Sequence, residues 1–163
     1  MMATYTLIAS ATASGSSPTI SFSTIPSTYA DLVLKFSLRS DTTGVTNFNV
    51  TLNSTGPTQK NIDASSSAAS TNSNTFNYAT ASGSLASTYS NGELYIPNYL
   101  SSIVKSVSLD TVAENNAVGG NRLELTAKLY SSVTSAVTSI ALTDIYGNWT
   151  NLSTAYLYGV SNA

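Results

Sequence analysis

Hydroxyl side chains dominate the reactive inventory of this sequence. Ser fills 29 and Thr 23 of 163 positions, and Asn adds 15. A hydroxyl becomes a nucleophile when a base sits beside it. The usual base is histidine, and the chain has no His and no Cys. A serine–lysine arrangement could draw on Lys35, Lys60, Lys105 or Lys128. Lys35, Lys105 and Lys128 stand at alternating positions of strand-like runs, where a solvated outward face is the ordinary reading. Glycoside hydrolysis needs two carboxylates at a set separation. Asp110 with Glu114, or Glu93 with Glu124, could form such a pair, but no spacing singles one out. Calcium takes carboxylate, amide and carbonyl oxygens. Asp41, Asn47 and Asn49 lie around one turn, and Glu114, Asn115 and Asn116 around another. Neither set has the EF-hand spacing, and Asn and Asp also serve turns for backbone reasons. Neither G-x-x-x-x-G-K-[ST] nor G-x-G-x-x-G occurs. The expectation is a non-enzyme with no catalytic residue, no cofactor and no metal.

The aromatic residues offer binding rather than reaction. Ten Tyr, four Phe and one Trp are present. Tyrosine joins a rigid flat face to a hydroxyl, which suits protein interfaces and sugar stacking alike. The interface candidates are Tyr5, Phe76, Tyr78, Tyr89, Tyr95, Tyr99, Tyr146 and Trp149. A sugar platform, a subunit or partner interface, and ordinary packing at sheet margins all remain open for them.

The elements that must position these residues are strands, because the hydrophobic period is two. Leu32, Leu34, Phe36 and Leu38 alternate with Val33, Lys35, Ser37 and Arg39. Phe48, Val50 and Leu52 alternate with Asn49, Thr51 and Asn53. Leu123, Leu125, Ala127 and Leu129 alternate with Arg122, Glu124, Thr126 and Lys128. Shorter runs centre on Ile20 and Phe22, Leu94 and Ile96, Val107 and Leu109, and Ile140 and Leu142. Tyr156, Tyr158 and Val160 face away from Ala155 and Leu157, and residues 4–9 suggest a first strand. Turn signals at 14–18, 26–30, 40–44 and 115–121 separate the runs. This pattern predicts an all-β fold: a jelly-roll-like antiparallel β-sandwich of eight or nine strands with little helix. Residues 1–163 read as a single domain with an N-terminal strand or arm over 1–17. Residues 54–91 are nearly all Ser, Thr, Ala, Asn and Gly, and read as one long loop excursion. It divides the strands into two groups that must share one core.

Composition removes several functions. The net charge is −2, and six basic residues cannot supply the basic face that nucleic acid needs. No apolar run approaches a membrane span. Without cysteine there are no disulfides and no thiol chemistry. The N-terminus lacks a positive residue and an unbroken apolar run, so it reads as mature protein. Sequons at Asn49, Asn53, Asn148 and Asn151 are expected by chance in so polar a chain.

Particular strings carry a resemblance. Tyr5-Thr6-Leu7-Ile8, the run from Ile25 to Leu34, and Ser37-Leu38-Arg39-Ser40-Asp41 resemble a family of small virion proteins of tailed bacteriophages. Glu93-Leu94-Tyr95-Ile96-Pro97-Asn98-Tyr99, Val112-Ala113-Glu114-Asn115-Asn116 and Leu157-Tyr158-Gly159 look like the same family. The resemblance covers most of the chain and weakens over 54–91. Its motifs are structural and carry no catalytic signature. It implies a virion component: a capsid decoration (cement) protein on the outer capsid surface, or a tail-fibre or appendage module binding host glycans through Tyr and Trp. The first implies the major capsid protein as partner and a homotrimer, because three-fold positions recur on such shells. Residues 1–17 and 54–91 are then the candidate contact segments. Low charge suits densely repeated surfaces, where strong net charge would make neighbours repel.

Overall fold

The computed structural model describes residues 3–43, 45–65, 68–72, 76–114 and 122–162. Among them are twelve strands and no helix. The strands are β1 (Ala3–Thr12), β2 (Thr19–Phe22), β3 (Asp31–Leu38), β4 (Val45–Leu52), β5 (Thr58–Ser65) and β6 (Ala68–Asn72). They continue with β7 (Asn77–Thr80), β8 (Ser90–Ile96), β9 (Lys105–Ala113), β10 (Arg122–Tyr130), β11 (Ile140–Asp144) and β12 (Thr154–Asn162). Every strand pairing is antiparallel. The larger sheet has eight strands in the order β1-β12-β3-β8-β9-β10-β5-β6, and the smaller has four in the order β2-β11-β4-β7. The chain is an antiparallel β-sandwich.

The core lies where the smaller sheet covers the larger. Leu32, Leu34, Phe36 and Leu38 of β3 point inward beside Leu94 and Ile96 of β8 and Leu157 of β12. Ile20, Phe22, Phe48, Val50, Leu52, Ile140 and Leu142 meet them from the smaller sheet. Each fully buried side chain of this size contributes roughly 1.5–3 kcal/mol. Phe36 and Phe48 join the two sheets edge to face, with ring centroids 5.6 Å apart. Strands from both ends of the chain are neighbours in one sheet, so the two groups of strands do share one core.

Residues 54–91 are not one loop excursion. They supply β5 and β6, at one edge of the larger sheet, and β7, at one edge of the smaller. The reason is physical: β5 pairs with β10 over eight residues through main-chain bonds, which ask nothing of side-chain hydrophobicity. The strand count therefore exceeds eight or nine. The turn expected over 115–121 and the glycine at 44 lie outside the described residues.

An exposed apolar face as candidate functional site

The eight-stranded sheet is wider than its cover. Strands lie about 4.8 Å apart, so four strands shield roughly half the width of eight. The strand of the smaller sheet that reaches β8, β9 and β10 is β7, its edge. An edge presents unpaired main-chain groups. What β10 turns toward it is therefore polar. Glu124 is buried, and its Oε2 accepts the Tyr78 N–H at 2.9 Å and the Thr111 hydroxyl at 3.4 Å. The Arg122 guanidinium lies 4.5 Å from the Tyr78 ring centroid. Tyr130 donates its hydroxyl to the Val50 carbonyl at 3.0 Å, and burial pushes its pKa far above the ordinary value.

Lys105 and Lys128 belong to this inward face, which corrects the solvated position expected for them. Lys128 is 2% exposed. Burial lowers its pKa to about 7, against the opposing pull of Glu124. Lys105 is equally buried and donates to the Ser101 and Ile103 carbonyls at 2.7 and 2.6 Å. Desolvation lowers its pKa as well. Lys35 alone of these three is outward.

With the polar side chains turned in, the leucines of β10 are turned out. Leu123, Leu125 and Leu129, with Val112 of β9, are 42–54% exposed. Cross-strand register places further residues on the same side of the sheet, some exposed and some, such as Val33, buried. Tyr156, Lys35, Glu93, Asp110 and Leu125 form one continuous row across β12, β3, β8, β9 and β10. Tyr158, Val33, Tyr95, Ser108 and Ala127 form the next. Tyr5 and Leu7 are exposed on β1, at the far edge. The face has a tyrosine-rich half, a leucine-rich half and a charged strip between.

Two open concavities meet at that strip. One of about 290 Å³ is lined by Lys35, Gly92, Glu93, Asp110 and Val112 among others. The other, about 410 Å³, is lined by Ser108, Asp110, Leu125 and Ala127 among others. Lys35 Nζ lies 2.8 Å from Glu93 Oε2, and this partner raises the lysine's pKa. Glu93 and Asp110 are directly opposite each other in the ladder. Glu93 and Glu124 lie on opposite faces of the sheet, so they cannot act as a pair.

The eight aromatic candidates scatter. Tyr5 and Tyr95 are exposed on the larger sheet. The Tyr95 hydroxyl donates to Asp31 Oδ2 at 2.8 Å, and this bond raises its pKa. Phe76 and Tyr78 are half-buried at β7, and Tyr89 is half-buried with its hydroxyl on the Asn151 carbonyl at 2.9 Å. Tyr146 is exposed in the loop after β11. Tyr99 and Trp149 are not surface residues, contrary to expectation. Both are fully buried. Tyr99 folds under the loop before β3, where its hydroxyl donates to the Pro26 carbonyl. Trp149 closes one end of the core, with Nε1 donating to the Leu142 carbonyl at 3.1 Å and its ring edge-on to Phe48. The residues that sequence reasoning missed are Val112, Leu123, Leu125 and Leu129. Alternation marks them as one face of a strand but carries no signal for which way that face turns.

Among the described residues no group of three His, Cys, Asp or Glu side chains converges in a way that could hold a metal ion. No helix among them is long and apolar enough to cross a membrane. Compared with known proteins, the chain matches no family model, no curated protein and no solved structure. What the site offers chemically is apolar area, tyrosine rings and a few charges on a pleated surface.

Proposed function

We propose that this chain is a structural protein of a tailed-phage virion, a decoration protein that binds the outside of the shell and strengthens contacts between major capsid proteins. The observation that carries this reading is the exposed apolar patch of Val112, Leu123, Leu125 and Leu129 on β9 and β10, on the same side of the sheet as the exposed Tyr156, Tyr95 and Tyr5. Exposed apolar side chains clustered on one face mark protein contacts. The resemblance of the strand strings to small phage virion proteins supplies the kind of partner. The mechanism is mass action: a protein that binds only the assembled lattice stabilises that lattice. Weak individual contacts suffice when many copies act together. The two contact segments inferred from sequence, 1–17 and 54–91, contain β1 and β6, the opposite edges of the larger sheet. In a homotrimer at three-fold positions these edges meet neighbouring copies, and the outward face meets the shell.

Binding of host glycans by an appendage module is the competing reading. It loses its only tryptophan to the core. Quantitative gel densitometry of purified particles separates the two. A decoration protein is present in numbers comparable with the major capsid protein. An appendage module is present in a handful of copies, and that result would overturn the proposal.

A further inference from the structure

We infer that the outward face of β3, β8, β9 and β10 takes a protein segment bearing a lysine or arginine flanked by apolar side chains. The cation sits against Asp110, and the flanks rest on Leu125 and Val112. This rests on the proposed reading that the face meets a protein partner, and it names that partner's chemistry.

Among the described side chains, the charged strip is one cation short. Glu93 and Asp110 are directly opposed across β8 and β9. Like charges in that position destabilise a sheet. Lys35 answers Glu93 at 2.8 Å. Asp110 forms no side-chain hydrogen bond or ion pair among the described residues. It lies where both concavities meet. Its other cross-strand neighbour is Leu125, and Val112 stands two residues along the same strand. An unanswered carboxylate with exposed Leu125 beside it and Val112 along its strand is complementary to a cation flanked by apolar side chains. Partial exclusion of water by the flanks strengthens the charge pair. An acidic or purely apolar partner would deepen the Glu93–Asp110 conflict or leave Asp110 stranded under an apolar cover. A second copy of this chain would bring its own Glu93 and Asp110 carboxylates to the contact.

The test uses the whole chain and a displayed library of random peptides. Peptides are selected on the wild-type protein and depleted on the uncharged Leu125→Ser, whose fold is checked by circular dichroism and Trp149 emission. The inference requires enrichment of Lys or Arg between apolar residues. It also requires an affinity about tenfold weaker for Asp110→Asn than for wild type, with a flatter salt dependence. Enrichment of acidic or uncharged peptides overturns it, as does binding indifferent to Asp110→Asn. Sedimentation adds a further arm: self-association abolished by Leu125→Asp assigns the face to a second copy instead and overturns the inference. The virion role fails separately, by scarcity of the chain on particles. A basic-apolar preference would survive that failure.

Discussion

The orientation of β10 is testable with one pair of substitutions. Leu125 and Leu109 are the same residue type on adjacent strands, one register step apart, yet Leu125 is 54% exposed and Leu109 is 1% exposed. Leu109→Asp forfeits about 1.5–3 kcal/mol of apolar burial. It also places a carboxylate in the core, at a further cost of several kcal/mol. The sum is of the same order as the whole stability of a domain, about 5–15 kcal/mol. Leu125→Asp, at a site 54% exposed, forfeits about half that burial, roughly 0.7–1.5 kcal/mol, and adds a like charge opposite Asp110 for about 0.2–1 kcal/mol. Urea unfolding followed by Trp149 emission reads both variants, since this single, fully buried indole reports the core directly. The expected outcome is a folded Leu125→Asp, about 1–2.5 kcal/mol less stable than wild type, and a Leu109→Asp that fails to fold. A loss above about 3 kcal/mol for Leu125→Asp would show that β10 turns its leucines inward and would remove the exposed face.

Three further outcomes follow from the same geometry. Stability is expected to rise with pH from about 7 toward 10.5, because over that window the unfolded chain keeps the Lys128 proton that the folded chain has released. Urea midpoints across that range should lose this slope in Lys128→Met, and an unchanged slope would count against the buried amine. Gly92→Ala would set a Cβ 2.3 Å from the Phe36 ring and 2.7 Å from the Asp110 carbonyl, for a loss of about 1–3 kcal/mol in thermal or urea unfolding. Lys35→Ser, which breaks a solvent-exposed ion pair, should cost no more than about 0.5 kcal/mol, whereas Phe36→Asp next to it should abolish soluble folding.

What the sequence made legible was the centre of the sandwich. The alternation around Leu34 and Phe36 gave both the strand and its buried face, because β3 sits mid-sheet with the smaller sheet directly over it. The alternation in β10 gave a strand but not its orientation. A period of two leaves two faces, and the choice depends on what packs opposite. Opposite β10 is the edge of β7, whose Tyr78 N–H donates to the Glu124 carboxylate, a role no leucine could fill. Lys105 and Lys128 were misplaced for the same reason. Strands β5 and β6 were invisible because their ladders are main chain to main chain, in a serine- and alanine-rich stretch with no hydrophobic rhythm. Trp149 and Tyr99 show that an aromatic side chain suits a core as well as an interface. The loops carrying them close over the core, and nothing local in the sequence announces it. Of the candidate site, Tyr5 and Tyr95 were named from sequence, while the leucines between which a partner would rest emerged only from the register.

The proposed role has the outward face of the larger sheet hold this protein to a phage shell. Its most direct measurement is retention of folded Leu125→Asp on particles assembled without the wild-type chain, by co-sedimentation and gel densitometry. The account requires the variant to stay in the supernatant while wild type pellets with the particles. Equal recovery of both on the shell would contradict it.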